Sequence, residues 1–163
     1  MSGESDEEFR QFMRGRWPAM LRLAYGLTGD RGHAEDVAQA AFARAYASWG
    51  RVQRTGDPDA YVRRIVINEN RRRFRKQRVA EALPGTLPDS GTVQAGPEDK
   101  AALLDALRSL GPRQRAVVVL RYWMDMSEAE TAAALNCSVG TVKSQASRAL
   151  ATLRNHIVEG ELR

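Results

Sequence analysis

The chain has one cysteine, Cys137, in 163 residues, so no disulfide can form within it and its stability must come from packing. That usage fits a reducing compartment. No apolar run approaches the ~20 residues needed to span a bilayer. The first nine residues, Met1 to Phe9, are acidic and lack the basic and apolar regions of a secretory leader. The protein is therefore expected in the cytoplasm, without membrane insertion. Lysine is nearly missing: of 25 basic residues only Lys76, Lys100 and Lys143 are not arginine. A GC-rich coding sequence explains that bias as readily as function does. Chemistry-bearing clusters are also scarce. His33 and His156 are isolated, Cys137 has no evident base partner, and Glu35-Asp36 and Glu128/Glu130 read as ordinary helix-surface or capping residues. No metal-ligand spacing, phosphate-cradling glycine loop or nucleophile elbow occurs. The expectation is a protein with no catalytic residues, no metal and no cofactor, and an enzyme is the weakest of the available readings.

What is present is helical periodicity. Strand signals, alternating β-branched runs between turns, do not occur. Residues 1–80 and 98–163 are helix-rich, and 81–97 hold Leu83-Pro84-Gly85-Thr86-Leu87-Pro88 and Gly96-Pro97, a turn-forming stretch without periodicity. The fold class expected is all-α, with two small helical domains joined by a flexible linker. In the first domain the pattern predicts a helix over Asp6–Gly15, with Phe9, Phe12 and Met13 on one face. A second runs from Pro18 to Leu27 and a third from Arg31 to Trp49, whose apolar face is Val37, Ala41, Ala45 and Trp49 beside Ala34, Ala38, Phe42 and Tyr46. Arg51–Gly56 reads as a loop. Asp57 then caps a fourth helix with Pro58 at its first position, carrying Tyr61, Ile65 and Val66.

The second domain also reads as four helices. Leu103, Leu104, Leu107 and Leu110 point inward on the first, and Val117, Val118, Leu120 and Tyr122 form the core face of the next. Ser127-Glu128-Ala129-Glu130 is a capping box opening a short helix that ends near Leu135. Asn136-Cys137-Ser138 forms a tight turn, with Cys137 a small packing residue, and a longer helix starts at Val139. This is the layout of a helix-turn-helix. Ala129, Ala132 and Ala133 keep the first helix small so the second can cross it closely. The second divides its circumference: Val142, Ala146, Ala149, Leu150 and Leu153 on the buried stripe, and Thr141, Lys143, Ser144, Ser147 and Arg148 on a polar face. A major groove admits one such helix, and its N-terminus favours phosphate. An ordinary helical hairpin with a solvated face is the plain alternative. The other charged feature is Arg71 to Arg78, where six of eight residues are Arg or Lys. Like charges this dense weaken a helix unless a polyanion relieves them, although a solvated helix end would also hold such a run. Net charge is +5.

Four motifs in order carry a family resemblance. Asp36-Val37-Ala38-Gln39-Ala40-Ala41-Phe42 followed by Trp49, Tyr61-Val62-Arg63-Arg64-Ile65-Val66-Ile67-Asn68, Leu107–Gln114 with Val117–Tyr122, and Val139-Gly140-Thr141-Val142-Lys143-Ser144 together resemble an extracytoplasmic-function (ECF) sigma factor of the sigma-70 family, in the sigma-E-like actinobacterial group. The resemblance covers nearly the whole chain. It implies that residues 1–80 are a region 2-like domain, 81–97 a linker and 98–163 a region 4-like domain. It implies that Asp36, Gln39, Phe42, Arg44 and Trp49 lie on or behind the surface that docks the β′ clamp helices of core RNA polymerase. Tyr61, Arg64 and Asn68, with the loop 51–59, would capture the unstacked −10 strand, and Arg71, Arg72 and Arg75 would track phosphates. Lys143, Ser144, Ser147 and Arg148 would meet the −35 major groove, with Arg115 and Thr141 at phosphates. Core polymerase (its β flap included), promoter DNA and an anti-sigma factor are the partners it implies. A stand-alone helix-turn-helix regulator of duplex operators is the competing reading; such proteins usually dimerise, and it leaves residues 1–80 unexplained.

Overall fold

The computed structural model describes residues 2–82 and 98–161, and every regular element among them is helical. Backbone packing divides the chain into two units. The first holds α1 (Gly3–Thr28), α2 (Arg31–Ala47), α3 (Trp49–Arg54) and α4 (Pro58–Ala82); the second holds α5 (Glu98–Arg108), α6 (Pro112–Val118), α7 (Glu128–Leu135) and α8 (Val139–Glu161). The stretch 83–97, read as a linker, lies outside the described residues. Its expected start at residue 81 is two residues early, because α4 runs through Ala82.

In the first unit α1, α2 and α4 pack against one another, with α2 against both long helices. Its inner face is mostly alanine: Ala34, Ala38, Ala41 and Ala45 are wholly buried with Val37, and these short side chains let both long helices approach closely. Met20, Leu23, Ala24 and Leu27 of α1 and Val62, Val66 and Ile67 of α4 close the core. Two sequence expectations are corrected. The first two helices are one, with Pro18 inside it. Proline removes a ladder hydrogen bond and glycine in a helix interior costs up to about 1 kcal/mol; burial of the flanking apolar residues carries the helix across Gly15 and Pro18. The expected loop Arg51–Gly56 is mostly helical, because Trp49 and Val52 are both buried and only a helical turn puts residues three apart on one side. Asp57 caps α4 as expected, accepting from the Ala60 amide at 3.1 Å. Tyr46, expected on the core face, is 41% exposed and donates its hydroxyl to Asp6.

The second unit is built on Leu104 and Leu107 of α5 and Leu110 just beyond it, with Leu103 turned outward, contrary to expectation. α6 passes into a π-helical turn (Val119–Trp123), closed by the Met124 amide donating to the Val119 carbonyl at 2.8 Å. The extra residue shifts the following side chains around the axis. Val119 and Leu120 are therefore fully buried, whereas Tyr122, expected inside, is 54% exposed. Replacing Leu23 by Ala removes a fully buried side chain and is expected to lower the unfolding free energy of the first unit by about 3 kcal/mol. Pro18→Ala is expected to raise it by about 2 kcal/mol. Urea denaturation followed by circular dichroism distinguishes the two signs.

Candidate nucleic-acid interface

Both units present one long helix held along a single stripe. On α4, Val62 and Val66 face inward. Tyr61, Arg64, Asn68, Arg71 and Arg75 recur at spacings of three and four residues on the opposite side, with Arg72 beside them. Tyr61 is half-buried and the other five are exposed. The sequence expectation thus falls on one continuous helix face, aromatic and amide-bearing near its start and cationic toward its end. The flanks of α4 are fixed by charge. Glu69, mostly buried, pairs with Arg44 at 2.5 Å, and Arg73 lies 3.7 Å from Asp36. At the start of α4, Asp59 receives both Arg16 from α1 and Arg63 from its own next turn, the latter at 3.2 Å.

The expected polymerase-docking residues fall partly at the surface and partly behind it. Asp36, Gln39 and Arg44 do lie at the surface of α2, but Asp36 and Arg44 also tie α2 to α4. Phe42 and Trp49 are 2% and 3% exposed. They are core residues, gathered with Phe9 and Phe12 at ring-centroid distances of 5.2–6.5 Å, and cannot themselves touch a partner in this conformation.

In the second unit the helix-turn-helix is present as read. Ser127 accepts from the Glu130 amide at 3.0 Å and the Glu130 carboxylate accepts from the Ser127 amide at 3.2 Å, the two halves of the capping box. Asn136 ends α7 in the left-handed region, φ 54°, a conformation asparagine tolerates better than most residues. Val117, Ala132 and Val142 form the buried contact between α6, α7 and α8, with Leu135, Cys137 and Ala146 packed around it. Of the three alanines expected inside α7, only Ala132 is buried; Ala129 and Ala133 are exposed and Thr131 is buried in their place. Leu150, expected on the buried stripe of α8, is 36% exposed. The seam runs Val142–Ala146–Ala149–Leu153, which leaves Leu150 at its edge.

The polar face of α8 is exposed at Thr141, Lys143, Ser144, Ser147 and Arg148. Ser138 caps the helix by accepting from the Thr141 amide at 3.0 Å, and the two hydroxyls lie 2.9 Å apart. Ser144 donates to the Thr141 carbonyl at 3.1 Å, so its oxygen faces outward as an acceptor. Lys143 and Arg148 supply donors beside it.

Arg115 departs from expectation. Expected at a phosphate, it donates within the fold to the carbonyls of Leu107 (2.9 Å), Arg108 (3.1 Å) and Leu110 (3.4 Å), at and just beyond the end of α5. Burial, and then the nearby Arg108 charge, push its pKa below the usual arginine value. Arg121 makes a similar link, donating to the Met126 carbonyl and so fixing the loop that leads into α7. Neither role leaves a sequence signal, because both join residues whose proximity is created by the fold. Among the described residues no three His, Cys, Asp or Glu side chains gather as a metal site, and no helix is long and apolar enough to cross a membrane.

Comparison with known proteins gives a consistent result. The family description "Sigma-70 region 2" matches residues 15–79 and "Sigma-70, region 4" matches residues 100–153. An RNA polymerase sigma-E factor of Streptomyces coelicolor is 43% identical over 157 residues, 95% of this chain and 89% of that protein. The ECF RNA polymerase sigma factor BldN of the same species is 34% identical over 82% of this chain and 54% of its own length. The solved sigma factor RpoE of Bartonella quintana, in complex with the anti-sigma factor NepR, has a TM-score of 0.78 at 26% identity, covering 91% of this chain and 96% of that one. CnrH in complex with the cytosolic domain of CnrY has a TM-score of 0.67 at 25% identity, covering 94% and 90%.

Arg115→Ala is expected to destabilise the second unit by about 2 kcal/mol, since charged hydrogen bonds contribute about 1.5–3 kcal/mol. It should leave the salt dependence of duplex binding unchanged. A phosphate contact would instead lower that slope by about 0.9. Thermal denaturation and a salt titration of binding check the two halves.

Proposed function

The chain belongs to the sigma-70 family as an ECF sigma factor of RNA polymerase, and on that premise we propose a division of labour between its two units. A sigma factor binds core polymerase and directs promoter-specific initiation. The observation that carries the finer reading is the one-sided burial of α4 and α8: each offers an exposed stripe whose chemistry suits a different form of DNA.

In this reading residues 1–80 act as region 2 and 98–163 as region 4, with 81–97 connecting them. Tyr61, Arg64 and Asn68 capture unstacked −10 bases, since an aromatic ring and short amides stack on and hydrogen-bond to exposed base edges. Arg71, Arg72 and Arg75 follow the phosphates. Thr141, Lys143, Ser144, Ser147 and Arg148 enter the −35 major groove. Asp36, Gln39 and Arg44 meet the β′ clamp helices, with Phe42 and Trp49 shaping that surface from behind, and the second unit meets the β flap. The polymerase supplies the catalysis, and the chain contributes no reacting group and works where polymerase does, in the cytoplasm. Each unit grips DNA weakly, and holding both on one polymerase raises the effective concentration of the second contact once the first forms. Capture of the opened strand offsets an unstacking cost of a few kcal/mol. An anti-sigma factor, such as NepR bound to the solved RpoE, is the proposed regulator.

The stand-alone regulator reading gains nothing from these observations. Core polymerase supplemented with the purified chain is expected to give run-off transcripts from a defined start, and the chain alone is expected to bind duplex promoter poorly; absence of both core binding and transcript overturns the reading. Replacing Arg71, Arg72 and Arg75 together by Gln should reduce the salt slope of promoter binding by about 2–3, at 0.7–0.9 per phosphate.

A further inference from the structure

α3 cannot hold itself in place. It has six residues and no side-chain cap at Ser48, and a helix of that length is unstable alone. Its position therefore depends on what seats Trp49 and Val52. Trp49 lies under two rings from the N-terminal half of α1: Phe9, edge-on at 5.3 Å, and Phe12, tilted at 5.2 Å. On the same side Glu8 accepts a hydrogen bond from the Gln53 amide group of α3. The Trp49 indole N–H is buried without an acceptor, so the seat is apolar; lifting the cover would give that N–H to water and recover part of what opening costs.

The half of α1 that forms this cover also packs on α2, with Phe9 and Phe12 against Phe42 and Asp6 accepting from Tyr46, and it joins residues 20–27 through the two residues that weaken the helix. A Cβ on Gly15 would meet nothing within 4 Å, so packing does not require glycine there. Pro18, three residues on, removes a ladder hydrogen bond. Beyond them Met20, Leu23, Ala24 and Leu27 are locked in the core. The region 2 match itself begins at Gly15. α3 in turn leads through residues 55–57 into the outer stripe of α4.

We propose that residues 3–14 are a hinged clamp on α3, pivoting across Gly15–Pro18, and that Glu8, Phe9 and Phe12 are positioning residues for α3 and the turn 55–57 that leads into the −10-capturing stripe of α4. Closed, the clamp holds α3 and sets where the turn starts; lifted, it lets both move. The consequence for DNA rests on the −10 reading above, and the clamp does not.

Hydrogen exchange of the full chain, read by mass spectrometry, tests the clamp without DNA. In the natural protein, residues 3–14 and 49–54 are expected to exchange together, about tenfold or more faster than residues 20–27. In the variant G15A/P18A, which favours helix, both segments should slow in parallel by about tenfold. Slowing of 3–14 with no change in 49–54 overturns the clamp. The second readout is holoenzyme binding to a pool of randomised single-stranded DNA. G15A/P18A should tighten it, and F9A/F12A should weaken it, each severalfold, while duplex binding through the second unit stays constant. Unchanged strand affinity in a variant whose residues 49–54 exchange more slowly overturns the positioning role. If natural holoenzyme does not bind single strands, the −10 reading has failed and the exchange data alone decide the clamp.

Discussion

Val62 and Val66 on α4, and Val142 and Ala149 on α8, have no exposed area, and the functional geometry of each unit hangs from them. A long helix can offer a rigid, polar, DNA-facing side only if its other side is fixed. Here fixing is achieved with small and β-branched side chains rather than large ones. Alanines on α2 and Ala132 on α7 bring backbones close, so the long helix is held along one side while the opposite side stays exposed. Widening the seam would spend the binding face on packing. Narrowing it would let the helix roll, and its exposed side chains would lose a fixed direction.

Arginine serves both sides of that arrangement, and this explains why a cation count alone misleads. Arg16, Arg44, Arg73, Arg115 and Arg121 are engaged within the fold, closing helix ends or joining neighbouring helices. Arg71, Arg72, Arg75 and Arg148 lie exposed on the stripes opposite the seams. The planar guanidinium suits either task, since its several donors satisfy backbone carbonyls as readily as phosphates. The surface pairs are partly solvated and each contributes little to stability. Arg115, with three carbonyls and partial burial, matters more.

Much of this was legible in the residues. Helical class, two units, the capping box at Ser127, the turn at Asn136–Ser138 and the split circumference of α8 all follow from local rules, in which each residue speaks mainly about its neighbours. The errors share one cause. Pro18 reads as a helix start, and Arg51–Gly56 as a loop, because propensity is local, whereas burial of Leu23, Trp49 and Val52 is decided by the tertiary fold. Regular 3.6-residue periodicity puts Tyr122 and Leu150 inside, but a π-turn and the edge of a seam interrupt it. Nothing in the neighbourhood of Arg115 announces that the carbonyls at the end of α5 will lie beside it. Of the docking residues, Phe42 and Trp49 are apolar enough to belong to a core, and the structure puts them there.

On the proposed function, two one-sided helices read two separate stretches of promoter only when polymerase holds them together. Hydroxyl-radical footprinting of a promoter with holoenzyme, and with the free chain, tests it most directly. Two protected patches should appear with holoenzyme and neither with the chain alone. Replacing Lys143 and Arg148 should erase the upstream patch, and replacing Arg71, Arg72 and Arg75 should erase the downstream one. A full footprint from the free chain, or loss of both patches from either set of substitutions with core binding intact, would contradict the account.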